Sequence, residues 1–192
     1  MTQACCPSCR LRFTRASAAH LDACPQCAHT LDRTEELGEP AARYVEMIGA
    51  AAGQIGDLLD DLGLVARIEA GRYEPNLVEI DTLELAQAAA GRVGEMASAS
   101  GTGGPVKVDE EAVERSLAGL ATCALRHGGL QSIELTAQGG VVGIGPIVPA
   151  AAPIVLAEEL KDLGAAAARQ VVEALEGSLT LEDDRLLVRL PT

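Results

Sequence analysis

The 192-residue chain contains no tryptophan, one phenylalanine and two tyrosines, so aromatic residues make up only 2% of it. Its hydrophobic share is nevertheless 48%, enough for a packed interior. That interior must be assembled from Ala, Val, Leu and Ile. Small side chains let backbones approach closely, which suits helices laid on a sheet. Positive charge is also scarce: 15 Lys and Arg stand against 28 Asp and Glu, a formal charge of −13. This excludes bulk attraction to nucleic acid as a general mode of action. No apolar run approaches the ~18 residues of a membrane span. The first residues are cysteines and arginines, where a secretory leader needs an apolar stretch. These absences predict a cytoplasmic protein with no membrane partner.

Cysteine, by contrast, is present six times, and in a reducing compartment that points to metal rather than disulfides. Cys6 and Cys9 form one CPxC pair, and Cys24 and Cys27 a second. Two intervening residues let both thiolates reach one tetrahedral ion, and the proline stiffens each knuckle. The fourteen residues between the pairs suit a short hairpin. The spacing predicts a structural zinc ion on Cys6, Cys9, Cys24 and Cys27, with a disulfide pair as the alternative. Phe13 is expected to cap the small core, Cys5 to be a bystander, and His20 and His29 to lie on the surface. Residues 1–33 carry four arginines against two aspartates, a formal +2, so the remainder carries −15. A four-cysteine site is closed and non-catalytic. Whether such a ribbon contacts nucleic acid, contacts protein or only stabilises is left open.

After a polar linker over residues 34–40, apolar residues recur at Tyr44, Ile48, Ala51, Ile55, Leu58, Leu62 and Val65. Steps of four and three describe a heptad seam on a helix over residues 41–69, with Gly71 as its C-terminal cap. Gly49, Gly56 and Gly63 each follow a seam residue, as a groove for close approach would require. The seam predicts a protein contact through Ile48, Ile55, Leu58 and Leu62; a simple buried core helix is the alternative.

Downstream, a helix is expected from Asp81 to Ser98, with Asp81 as its N-cap. Residues 98–105, SASGTGGP, read as a glycine-rich turn; without Lys and a following Ser or Thr it is not a phosphate loop of the usual motif. A short strand follows over residues 106–108. The helix from Asp109 to His127 has acidic residues in its first turn and Arg126 and His127 in its last, complementing the helix dipole. Strands are expected at SIELTAQ and VVGI across Gly139-Gly140, then a loop over residues 145–153. A helix over residues 157–176 and a hairpin across Asp183-Asp184 complete a two-layer α+β arrangement.

The segment LLDDLGLVARIEAGRY resembles the last turns of the second dimerisation helix of sensor histidine kinases. The following EPNLVEIDTLELAQAA resembles the linker and first helix of their ATPase-like domain. The segments VKVDEEAVERSLAGLATCALRH, VVGIGPIVP and DLGAAAARQVVEALEGSLTLE resemble, in order, the helix with the magnesium-binding asparagine, the adenine-aspartate loop, and the glycine-rich helix start. The cysteine pattern and this resemblance together imply an α+β fold: zinc ribbon (1–33), linker (34–40), dimerisation-type helix (41–72) and degenerate ATPase-like domain (73–192).

The departures from that pattern fall on the chemistry. Cys123 stands where the asparagine would be, and a thiol is a poor magnesium ligand. Gly143 stands where the aspartate would be. The phosphate turn is reduced to Gly164 with Asp162 before it, and residues 150–162 leave no room for a nucleotide lid. No histidine lies on the long helix to accept a phosphoryl group. Cys123 and His127, four apart on a helix, have nucleophile–base spacing, but a buried thiol and a helix-capping histidine are the readings preferred.

The sequence therefore predicts a non-catalytic pseudo-histidine-kinase: an adaptor with a zinc cofactor and no ATP. Its expected partners are a kinase, a response regulator or a second copy. The alternatives are a transcription-associated regulator whose ribbon touches nucleic acid, and a residual ATPase or phosphotransferase.

Overall fold

A computed structural model of the chain describes residues 4–13, 17, 20–33 and 39–192. Residues 34–38 of the expected linker lie outside the described residues. Contacts divide the chain into two units, Met1–Ile55 and Gly56–Thr192.

The first unit begins with a three-stranded ribbon. Its central strand β1 (Ala4–Cys5) pairs antiparallel with β2 (Arg12–Phe13) and β3 (Asp32–Arg33). The ribbon core is Ala4, Cys6, Cys24 and Leu31, with Phe13, Leu21 and the other two paired cysteines packed on it. Phe13 thus takes the place expected of it. So small a core needs a covalent or metal staple to fold alone.

The long helix α1 spans Glu39–Glu69, two residues earlier than its periodicity predicts. Pro40 is tolerated there because a first-turn residue has no intrahelical partner for its N–H. The helix ends as a Schellman motif: Gly71 has φ +63, its N–H donates to Ile68 O, and the Arg72 N–H donates to Arg67 O. A residue with a Cβ adopts that left-handed backbone only at a cost, so Gly71 is the cap.

The second unit opens with the final turns of α1, where Leu64 and Ile68 join the main core. Next come β4 (Leu77–Asp81) and α2 (Thr82–Val93), then β5 (Ala97–Gly103), β6 (Pro105–Asp109) and α3 (Glu110–Gly128). The chain continues through β7 (Ile133–Gly139), β8 (Val141–Gly145), α4 (Ala152–Val155), α5 (Leu163–Ala174), β9 (Ser178–Glu182) and β10 (Arg185–Arg189). The main sheet has the order β5-β7-β8-β10-β9, parallel only between β5 and β7; β4 and β6 form a separate antiparallel pair. Helices cover one face. Ile133, Leu135, Ala137, Val142, Ile144, Leu186 and Val188 point toward them and are buried, together with Ala89, Ala121, Ala124, Ala165 and Ala168 from the helices. Alanine in the helix layer supplies the close packing expected of a core without aromatics. The α+β two-layer architecture is as the sequence predicts.

Four local expectations need correction. The segment LVEI, expected to be linker, is β4, paired in register with β6 from Leu77↔Asp109 to Asp81↔Pro105. The glycine-rich stretch expected to be a turn is edge strand β5; it pairs with β7 over Ala97↔Ile133 to Gly103↔Gly139. Gly101 in that strand has φ +114, and a Cβ there would collide with the Ala137 carbonyl oxygen. The glycine is thus required by the strand. The first helix of this unit stops at Val93 rather than Ser98, because the chain turns at Gly94 into β5. The last helix starts at Leu163 rather than residue 157, where the Asp162 carboxylate accepts the Ala165 N–H and so sets the N-terminus.

Candidate functional site

The ribbon brings Cys6, Cys9, Cys24 and Cys27 together, with all four sulfurs within 4.8 Å of one another. Cys6 and Cys27 sulfurs are 3.3 Å apart and those of Cys9 and Cys24 3.5 Å, and none of the four is in a disulfide. A tetrahedral ion bound at about 2.3 Å asks for sulfurs roughly 3.8 Å apart, so a small outward adjustment accommodates it. The two knuckles share one backbone design. The Cys6 N–H donates to Leu11 O and the Arg10 N–H to Cys6 O; the Cys24 N–H donates to His29 O and the Ala28 N–H to Cys24 O. Arg10 and Ala28 both have positive φ, 59° and 57°. Each knuckle therefore folds its first cysteine's carbonyl inward in the same way.

Charge also favours a cation in the ribbon. The Cys9 backbone N–H, above all, draws the Cys6 thiol down to about 6. Cys9 rises to about 12, because burial and the neighbouring sulfurs outweigh its own backbone hydrogen bond from Leu11. Four thiols at this spacing cannot all ionise without a positive partner. The set could hold one metal ion, and its all-sulfur chemistry fits zinc. His20 and His29 are exposed, with His29 Nδ1 3.3 Å from Cys27 O.

In the second unit, Cys123 is 1% exposed on the inner face of α3. His127, one turn on, was expected to cap the helix; instead its Nε2 lies 3.2 Å from Asp162 Oδ2. The Arg126 guanidinium approaches the same oxygen at 3.2 Å. Asp162 Oδ1 meanwhile accepts the Ala165 N–H at 3.1 Å. Both carboxylate oxygens thus have partners within the chain, and the group sits at the helix N-terminus where an anion would otherwise dock. Burial first, and then the Asp162 charge, push the Cys123 thiol up to about 12. A thiol so reluctant to ionise is not an activated nucleophile.

Gly143 lies in β8, and a Cβ there would fall 2.8 Å from Thr136 Oγ1 and 3.4 Å from Leu187 Cδ2. That is the outer face of the sheet. The position where the sequence resemblance implies the adenine aspartate therefore points away from the helices, and the neighbour facing them is the buried Ile144. No residue of β8 is acidic, so neither face of the strand offers a carboxylate. The chain from Ile147 to Val155 closes over this end of the core, with Ile147, Ala151, Ile154 and Val155 all buried.

The seam of α1 is uncovered. Ile48 is 68% exposed, Ile55 60%, Leu58 40% and Leu62 47%, with Tyr44, Met47 and Leu59 also exposed. Leu64 and Ile68, on another face, belong to the main apolar core. Among the described residues, nothing lies within 4 Å of a Cβ added at Gly49, Gly56 or Gly63.

Two clusters escaped the sequence reading. Asp109, the N-cap of α3, accepts the Tyr73 hydroxyl at 3.0 Å and the Asn76 N–H at 3.2 Å, fastening the segment after α1. Burial, with Asp109 beside it, pushes the Tyr73 phenol well above its usual range. On the outer sheet face, Arg185 donates to Glu134 and Thr136, each at 3.1 Å, and holds the Glu134 carboxyl below its ordinary value. Only N-cap chemistry at Asp109 could have been read from sequence; the cross-strand partners are non-local.

No known family profile matches the chain, and no curated protein matches it by sequence. Among the described residues, no helix is long and apolar enough to cross a membrane. Solved structures do match. A histidine kinase of Acinetobacter baumannii, AdeS, is similar over 82% of this chain and 86% of its own, at 14% identity and TM-score 0.59. The cytoplasmic segment of the histidine kinase QseC is similar over 72% of this chain and 92% of its own, at 8% identity and TM-score 0.55. Full-length ShkA, solved in complex with AMPPNP, is similar over 82% of this chain and 40% of its own, at 21% identity and TM-score 0.54. At these identities the likeness establishes the fold: this chain is built like the cytoplasmic and ATPase regions of histidine kinases.

Proposed function

We propose that the chain is a histidine-kinase-like signalling adaptor that does not turn over ATP and acts through protein contacts, with one structural zinc in its ribbon. The engagement of Asp162 carries this reading. A kinase fold binds nucleotide by leaving helix N-terminal amides and hard oxygen donors free for phosphate and magnesium. Here the Ala165 amide at the start of α5 is capped by a carboxylate of the same chain, whose charge repels a triphosphate. The residue aligned with the magnesium asparagine is a buried thiol, a poor ligand for a hard cation. The exposed seam of α1 offers the surface for a partner, through Ile48, Ile55, Leu58 and Leu62. That partner is a kinase, a response regulator or a second copy of this chain.

Phosphoryl transfer tests the proposal. Full-length protein incubated with magnesium and γ-labelled ATP is expected to take up no label and release no phosphate above a no-protein control. Acid-labile label on the protein, or phosphate release that scales with protein concentration, overturns it.

A further inference from the structure

Cys123 and Asp162 enter the proposal above only as groups that do not suit a nucleotide; together with His127 they have the chemistry of a ligand set. Cys123 and His127 lie one turn apart on α3, and Asp162 reaches them from the N-terminus of α5. One ligand atom from each, sulfur, imidazole nitrogen and carboxylate oxygen, fall within 4.8 Å of one another. The His127 Nε2 to Asp162 Oδ2 separation is 3.2 Å. Tetrahedral zinc with sulfur at about 2.3 Å and nitrogen or oxygen at about 2.0–2.2 Å needs ligand separations of roughly 3.3–3.6 Å. The His127–Asp162 pair lies close to that spacing, and the Cys123 sulfur lies within 4.8 Å of both. We infer that Cys123, His127 and Asp162 form a second metal site, separate from the ribbon, that takes a zinc-class divalent cation and leaves its fourth position to water.

Donor type and charge agree with this assignment. Thiolate and imidazole select borderline metals over magnesium or calcium. A thiolate and a carboxylate neutralise a dication. Oδ1 of Asp162 is held by the Ala165 N–H, which fixes the carboxylate and turns Oδ2 toward His127, as a supporting hydrogen bond does in metal sites. Arg126 competes for Oδ2, but its side chain is 61% exposed and can leave for solvent. Metal binding here displaces the thiol proton of Cys123 to solvent and pins α3 to α5. The inference does not depend on the adaptor reading; a second zinc would stand whether or not the chain binds ATP.

Zinc per chain, measured by elemental analysis of the full-length protein after equilibration with zinc and a weak chelator, tests the site. Wild type is expected to hold two zinc ions, and Cys123→Ala and His127→Ala one each. His127 is partly exposed, so its variant keeps the fold even if loss of the buried thiol does not. Substituting cobalt should add, in wild type, an absorption component that both variants lack. Equal zinc content in wild type and His127→Ala overturns the inference, whatever the ribbon holds.

Discussion

Thr82 shows how much a single buried polar group can organise. It is completely buried, donates its hydroxyl to Gly139 O at 2.6 Å and accepts the Gly104 N–H at 3.1 Å. One side chain thereby ties the start of α2 to the β7–β8 turn and to the β5–β6 connection. Thr82→Val keeps the shape but leaves the Gly104 N–H and the Gly139 carbonyl without that partner. It should cost about 0.5–1.5 kcal/mol, read as a lower denaturation midpoint at unchanged m-value. No loss of stability would mean the two backbone groups find water instead. Nothing in the sequence marks Thr82, because both partners are distant in the chain. The caps Asp81 and Gly71 were legible, since caps act within a few residues of themselves. Cys123 was legible as a buried thiol, but its approach to Asp162 joins residues 39 apart in the chain and has no local signature.

At the scale of elements, periodicity and turn chemistry located α1, α3, β7, β8 and the final hairpin. They failed where the element depends on a distant partner. β5 is made of Ala, Ser, Gly and Thr, which read locally as a turn; it becomes a strand because β7 supplies the hydrogen bonds. β4 was overlooked for the same reason, its partner β6 lying beyond α2 and β5. The ribbon was legible because ligand spacing is local. If zinc provides its folding energy, chelation should unfold it while sparing the second unit, since structural zinc contributes on the order of 10 kcal/mol in such small folds. Amide exchange checks this: protection should vanish over residues 4–33 and persist from residue 77 onward. Protection retained in metal-free protein would contradict it. For α1 the seam makes a different demand. Leu58 is 40% exposed, so Leu58→Glu should change the stability of an isolated chain by no more than about 0.5 kcal/mol. The same charge buried in an assembly would split it. Light scattering of both proteins at tens of micromolar, roughly the range of a weak dimer, separates the cases. A wild type that is monomeric there removes the second copy as the partner.

At the scale of the whole molecule, the frame is like that of histidine-kinase regions, and the proposed lack of nucleotide binding rests on the groups that stand where the sequence resemblance places the family's ligands. The frame depends on alternation and helix packing, which many residues share, so it persists at 8–21% identity to the similar structures. Nucleotide chemistry depends on a few side chains, and at those places stand a buried thiol, a strand with no carboxylate, and an aspartate capping the helix that should receive phosphate. Calorimetric titration of the full-length protein with magnesium-ATP tests this most directly. The account predicts no binding heat that fits a dissociation constant below about 1 mM, the equivalent of roughly −4 kcal/mol. A saturable isotherm with a constant in the micromolar range would contradict it.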